Sequence, residues 1–121
     1  MDVNMDKSGR VVLCGASAYE QKYYFNELFK GMPKSIQDEL HILCVLFTEE
    51  VGGTFQIVFG EDGELMLETD TDDDDIYYDE ISSGLMVNKV RNSKRELLES
   101  LNLYYKVFIL KEDLATVLDE E

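Results

Sequence analysis

The sequence predicts an α+β domain in which a small antiparallel sheet, built around a central hairpin, packs against two main helices. Two observations carry this prediction: apolar residues alternate over 54–59 and 65–70, and they recur at helical spacing over 36–51 and 94–108. Alternation buries one face of a sheet, and helical spacing buries one face of a helix. The two helices are therefore expected to cover one face of the hairpin sheet.

The length and composition indicate one folded domain. The chain has 121 residues, of which 45% are hydrophobic, and this suffices for a core that needs no disulfide or metal. We expect a single domain over 1–121 with frayed ends at 1–10 and 112–121. No basic start precedes an apolar segment, and no stretch approaches the roughly 20 apolar residues of a membrane helix. The expected location is the cytoplasm, without membrane contact.

The helix over 36–51 has marked ends. Pro33 breaks any earlier helix, and Ser35 with Asp38 has the spacing of a capping box. Its predicted buried stripe consists of Ile36, Leu40, Leu43 and Phe47, widened by Ile42, Cys44 and Leu46. Val45 falls among the polar residues, which favours a subunit contact. A buried strand over 40–47 is the alternative, because that run is almost continuously apolar.

The hairpin follows directly. Gly52 and Gly53 supply the left-handed residue that ends a helix, and the Asp62-Gly63 pair is typical of a turn between two strands. Upstream, Val11–Cys14 is predicted to form a buried strand, and the small residues 15–18 are predicted to form a turn. Residues 19–25 are assigned as strand, with helix as the alternative.

The C-terminal half is less regular. Residues 68–75 carry six acids in eight positions, and repulsion should keep them extended and solvated. Tyr77, Ile81 and Leu85 have helical spacing, so 76–90 is assigned as helix, although 85–90 also suits a strand. A second capping box, Ser93 with Glu96, begins the last helix. Its predicted stripe consists of Leu97, Leu101, Tyr104 and Phe108.

Charge restricts the partners. The net charge is −15, of which −12 lies in residues 61–121. An acidic surface repels nucleic-acid backbones and anionic membranes, so a basic protein is the favoured charged partner. Mimicry of nucleic acid by the acidic surface is a further alternative.

The sequence contains weak candidates for a metal-binding site and for a catalytic nucleophile. Asp70, Asp72 and Asp74 match the first positions of a calcium loop, but Asp75 replaces its glycine and Ile81 its glutamate. His41 and Cys44 lie one helical turn apart, and with Cys14 they would give three zinc ligands or a thiol and its base. The preferred interpretations are a solvated acidic loop, with weak and unspecific divalent-cation binding as the alternative, and two buried thiols. No cofactor is predicted.

Tyrosines supply the interface candidates. The seven tyrosines include three adjacent pairs, which places one ring of each pair away from the core. Tyrosine is enriched at protein interfaces because it offers apolar area with a hydrogen-bonding tip. The predicted interface residues are Tyr24, Val45, Tyr78 and Tyr105.

Five short segments of the sequence are distinctive: LCGASAYE (13–20), KYYFN (22–26), LCVLFTEEVGG (43–53), DEI (79–81) and KRELLE (94–99). Through these segments the chain resembles a domain-of-unknown-function family of small acidic proteins from clostridial-type anaerobic bacteria. The resemblance implies a bacterial cytoplasmic protein and supplies no site residues. From the residues themselves we expect a non-enzymatic interaction or regulatory domain that forms a homodimer. The alternative is a domain that binds a small molecule or divalent cation where tyrosine and His41 converge between sheet and helices.

Overall fold

The computed structural model describes residues 9–110, and it confirms the α+β class. Four strands in this range form one antiparallel sheet in the order β2-β1-β3-β4. The strands are β1 (Val11–Ser17), β2 (Lys22–Phe25), β3 (Thr54–Phe59) and β4 (Leu65–Asp70), and the helices are α1 (Lys34–Val51), α2 (Glu80–Ser93) and α3 (Arg95–Tyr104). A 3₁₀ turn, Glu27–Phe29, follows β2, and a π-helical turn, Tyr105–Ile109, follows α3. The predicted fraying of 1–10 and 112–121 lies almost entirely outside the described residues.

The predicted hairpin has the expected bounds. Thr54 pairs with Asp70 and Phe59 with Leu65. Gly63 adopts a φ of 85°, and its N–H donates to the Gly60 carbonyl at 2.9 Å, which closes a tight turn that suits glycine. Phe55, Ile57 and Phe59 point from β3 into the core. The alternation that predicted the hairpin therefore also identified its buried face.

β1 is longer than predicted, and the turn expected over 15–18 was wrong. Gly15 and Ala16 continue the strand and pair with β2 on one side and β3 on the other. A Cβ at Gly15 would lie 2.9 Å from the Phe55 carbonyl oxygen, so glycine here permits close approach of two strands. The small residues Gly15 and Ala16 therefore lie in a central strand of the sheet, and the turn is formed by residues 18–21.

Asn26 holds the start of β1 in place. Its buried side chain donates from Nδ2 to the Val12 carbonyl at 2.7 Å and accepts at Oδ1 from the Leu28 N–H at 2.8 Å. The register of β1 against β3 shifts between Val12 and Cys14. The Asn26 side chain thus forms hydrogen bonds with two backbone groups that lack a backbone partner among the described residues: one at the shift in register of β1 and one at the start of the 3₁₀ turn.

α1 is helical as predicted, but its cap and its buried face differ. It begins at Lys34 after Pro33, and no side chain in the described range caps it, so the Ser35 capping box was wrong. Ile42 and Leu46, expected in the buried stripe, are 60% and 49% exposed. Each follows a core residue by two positions, which is about 200° around a helix. The side of α1 opposite the sheet is therefore partly apolar.

The assignment of 76–90 as helix was correct for 80–90, which lie in α2 in place of the alternative strand, but residues 76–79 precede the helix. The capping box at Ser93 was wrong, because Ser93 ends α2 and its hydroxyl donates to the Lys89 carbonyl at 2.8 Å. Leu97 and Leu101 are buried as predicted, but Phe108 is 57% exposed. The π-helical turn explains this: the Leu110 N–H bonds to the Tyr105 carbonyl, and the added residue turns Tyr105 inward.

Alanine at Gly53 and at Gly84 should have opposite effects on stability. Gly53 has a φ of 66°, and a Cβ there would overlap the Asp70 carbonyl oxygen and approach Tyr78 Cε1 to 2.8 Å. Gly84 lies in α2, and a Cβ added there would meet no atom within 4 Å. We expect Gly53→Ala to lower the free energy of unfolding by about 2–4 kcal/mol and Gly84→Ala to raise it by about 0.5–1 kcal/mol. Urea denaturation measures both, and equal effects would contradict the geometry.

Candidate functional site

Four exposed apolar side chains lie in the turn before α2 and on its first two turns, and we call them together the α2 apolar face. Its members are Ile76 (83% exposed), Tyr77 (90%), Ile81 (77%) and Leu85 (66%). The spacing of these residues predicted a helix correctly but did not show that this side faces solvent. Clustered exposed apolar side chains mark binding surfaces more often than isolated ones do.

The buried side of α2 is narrow. Ser83 and Val90 are its buried residues, and Met86 and Val87 pack partly against the core. The Tyr78 hydroxyl donates to Ser83 Oγ at 2.7 Å, so a polar contact anchors the first turn. The first turn of α2 is therefore attached through a polar contact, while Ile81 and Leu85 point outward.

Asp79 fixes where α2 begins. Its Oδ1 accepts from the Ile81 N–H at 2.9 Å and the Ser82 N–H at 3.3 Å, and its Oδ2 accepts from the Ser82 hydroxyl at 2.8 Å. The bonds from the Ser82 side chain and from these two N–H groups lower the pKa of Asp79. This cap sets the helical phase that turns Ile81 and Leu85 to the surface.

A groove of about 710 Å³ runs between α2 and the end of β4. The strand contributes Thr69 and Asp70, together with Thr71 just beyond it. The α2 side contributes Glu80, Ile81, Leu85, Val87 and Arg91, among others. The groove therefore has apolar walls, an acidic end and one cation.

The acidic segment next to the groove folds around one tyrosine hydroxyl. The Tyr19 hydroxyl donates to Asp75 Oδ2 at 2.6 Å, accepts from the Asp72 N–H at 3.0 Å and lies 2.8 Å from Thr71 Oγ1. The prediction that 68–75 are extended was thus wrong for the backbone of 71–75, because these bonds draw it into a turn, whereas 68–70 are extended in β4. The side chains of 72–74 are exposed, as expected for repelling carboxylates.

The described residues contain no group of three or more His, Cys, Asp or Glu side chains placed to hold a metal. Asp70 caps the N–H of Thr71 at 2.8 Å, whereas Asp72 and Asp74 lie in the exposed turn. The structure does not bring the three carboxylates of the predicted cation loop together.

A second cluster is buried beneath β2 and α1. Cys14 Sγ and Cys44 Sγ are 3.7 Å apart, and both residues are fully buried. The hydrogen bond with Cys14 and burial raise the pKa of Cys44. Burial, followed by the two neighbouring thiols, raises the pKa of Tyr23. Cys44 and Tyr23 are therefore uncharged at neutral pH, and Cys44 does not suit the role of a thiolate nucleophile.

The hydroxyl of Tyr23 lies in this cluster without a hydrogen bond of normal geometry to any described residue. Its ring stacks on His41, with the centroids 4.1 Å apart. Beside this stack is a recess of about 550 Å³ whose lining includes Val45, Thr48 and Glu49. Tyrosine and His41 thus converge between the sheet and α1, where the sequence suggested a ligand pocket.

The predicted interface residues are dispersed. Tyr24 lies on the edge strand β2 and is 45% exposed, whereas Val45 is half-buried in the recess beside Tyr23. Tyr78 is half-buried and lines the α2 groove. Tyr105 is 4% exposed and stacks on Phe59 with the centroids 4.0 Å apart. Tyr105 belongs to the core and is not available to a partner, and only Tyr78 adjoins the α2 apolar face.

Sequence reasoning missed the α2 apolar face, and it placed the two thiols together only in the zinc and nucleophile hypotheses. The sequence did contain a signal for the α2 apolar face. Ile76, Tyr77, Ile81 and Leu85 directly follow an acidic run, whose charged side chains are not expected to pack on apolar ones. The thiols are 30 positions apart, and only the packing of α1 on β1 brings them together.

Among the helices that the structure describes, none is long and apolar enough to cross a membrane. The fold and the groove define a small α+β domain with an exposed apolar surface and without an assembled metal or nucleophile centre in the described range. The chain belongs to the family of unknown function DUF6145, whose model matches residues 10–113. This agrees with the resemblance to a domain of unknown function. Neither the curated proteins nor the solved structures contain a significant match.

Removal of the Tyr23 hydroxyl, which is buried without a hydrogen bond to the described residues, and of the Tyr78 hydroxyl, which is hydrogen-bonded, should change the free energy of unfolding in opposite directions. Tyr23→Phe removes a hydroxyl without a partner in the described chain, and we expect the free energy of unfolding to rise by about 1 kcal/mol. Tyr78→Phe removes the bond to Ser83, and we expect a loss of about 0.5–1.5 kcal/mol. Urea denaturation at pH 7 measures both. A larger loss for Tyr23→Phe than for Tyr78→Phe would refute the assignment.

Proposed function

We propose that this protein is a non-enzymatic protein-interaction or regulatory domain that binds its partner through the α2 apolar face and the adjoining groove. One observation carries the proposal: four large apolar side chains within ten residues are 66–90% exposed. Exposing them costs solvation free energy of about 25 cal/mol per Å² of apolar area, which burial against a partner recovers.

The charge around the face supports a basic partner. Glu80, Asp70 and the carboxylates of 72–75 lie along one end of the groove or next to it. Complementary charge increases the rate of encounter and disfavours partners of like sign. Nucleic acid and anionic membranes fit this surface poorly for the same reason.

The predicted homodimer belongs to this proposal as well, with Tyr24 and Val45 as its candidate contacts. Tyr24 lies on the edge strand β2, and Val45 lies beside that strand on α1. A bacterial source and a cytoplasmic location remain expectations from the resemblance and from the composition.

The recess beside Tyr23 and His41 favours a second candidate function, the binding of a small molecule. Its stacked rings offer a flat apolar surface, and Thr48 and Glu49 add polar groups. We expect a flat ligand from a metabolite panel to raise the melting temperature, and His41→Ala to abolish the rise. Glu99→Ala, on the exposed side of α3, serves as the control. A flat response to the whole panel would eliminate this candidate.

Leu85→Asp tests the main proposal. Leu85 is 66% exposed, so the substitution should leave the fold intact while placing a charge within the α2 apolar face. We expect capture of the partner from extracts of the source cells to fall at least tenfold, because a buried unpaired carboxylate is costly. Quantitative mass spectrometry of the captured proteins gives the measurement.

Ser100→Asp is the matched control, since it adds the same charge at an exposed position of α3. It should capture the same proteins as the unmodified chain. Circular dichroism checks that both variants fold. Equal capture by Leu85→Asp and the unmodified chain would show that the α2 apolar face is not the binding surface.

A further inference from the structure

β4 is an edge strand of the sheet, and its last two residues, Thr69 and Asp70, line the α2 groove. The Gly60 N–H donates to the Glu64 carbonyl at 2.8 Å, and the Leu65 N–H faces outward to Asn102 Oδ1 at 3.5 Å. Pairing alternates along an antiparallel ladder, so Leu67 and Thr69 also direct their N–H and C=O groups outward. Within residues 9–110, the outward groups of Leu67 and Thr69 have no hydrogen-bond partner.

The part of α2 that lines the groove is as long as a short extended segment, which would enter the groove at the end of β4. Thr69 and Thr71 line one side, and Ile81, Leu85 and Val87 line the other. Glu80 and Arg91 are eleven positions apart on α2, which corresponds to about 16 Å along the helix. At about 3.3 Å per residue, this length matches about five residues of strand.

The charges indicate which segment fits. Asp70 and Glu80 line the same groove, and the exposed carboxylates of 72–74 lie beyond it. Arg91 is the only cation that lines the groove among the described residues. A segment with Lys or Arg at the end beside Asp70 and apolar side chains along its length complements both features.

We propose that the groove binds an extended basic segment of a partner protein, which adds to β4 as a fifth strand. Its backbone would pair with Leu67 and Thr69, and alternate apolar side chains would contact Ile81, Leu85 and Val87. This inference rests on the proposed function and names the class of partner. A second copy of the chain suits the groove less well, because each copy carries a net charge of −15.

The test uses fluorescein-labelled hexapeptides with KK or RR at one end followed by alternating Val and Thr, such as KKVTVT. Fluorescence anisotropy compares them with EEVTVT and with KKVTVT that is N-methylated at alternate residues. We expect the full-length protein to bind at least one basic peptide tenfold or more tightly than either comparison peptide. Amide chemical shifts should change at Leu67, Thr69 and Ile81.

Thr69→Pro removes one outward N–H that the fold does not use, and it should weaken binding at least tenfold. Thr69→Val keeps the N–H and the branched shape, and it should bind within twofold of the unmodified protein. The N-methylated peptide tests the same hydrogen bonds without altering the protein, should Thr69→Pro fail to fold.

Three results would overturn the inference: no binding by any basic peptide, equal binding of acidic and basic peptides, or shift changes away from β4 and α2. Sedimentation velocity adds a fourth, since a dimer that Thr69→Pro dissociates would make a second copy the occupant. If no peptide binds while Leu85→Asp still abolishes partner capture, strand addition fails and the proposed function stands. If Leu85→Asp also has no effect, both fail.

Discussion

The packing of Tyr105 on Phe59 closes the core of this domain beside the hairpin. The two rings are nearly parallel, with an interplanar angle of 8°, and Phe29 stacks on both. This contact packs the π-helical turn against the hairpin. Leu40, Cys44 and Phe47 pack α1 against the sheet. The sheet face is then covered, so α2 contributes little beyond Val90 and Ser83 to the buried interior.

The exposed apolar residues follow from this arrangement. A helix between two helices that already cover the sheet has little apolar surface left to contact. Its cap at Asp79 and the bond between Tyr78 and Ser83 hold the first turn in place without large buried side chains. The core of the domain is therefore closed without the side chains of Ile81 and Leu85.

Local patterns predicted the elements well and their environments less well. Alternation and the Asp62-Gly63 pair located the hairpin, because strand period and turn chemistry are local properties. Ile42 and Leu46 were assigned to the core and Tyr105 to the surface, because the helical period does not show which apolar side meets a sheet, and a π-helical turn changes the phase. Both capping boxes failed because the neighbouring backbone, not the side-chain motif, set the helix starts.

The candidate site was even less accessible to sequence reasoning. The groove exists because β4 is an edge strand next to α2, and edge position is a property of strand order. The turn around Tyr19 joins residues more than 50 positions apart, and the close approach of Tyr78 to Gly53 spans 25 positions. The composition did indicate the acidic character of the site, because the net charge of a segment follows from its residues alone and does not depend on the strand order.

The most direct test of the central claim is site-specific photo-crosslinking in the source cells. A photoreactive phenylalanine replaces Leu85 in one strain and Glu99, on the exposed side of α3, in another. The account predicts a discrete protein crosslink from position 85 that is absent from position 99. No crosslink from position 85, or the same crosslinks from both positions, would contradict the claim that the α2 apolar face is the binding surface.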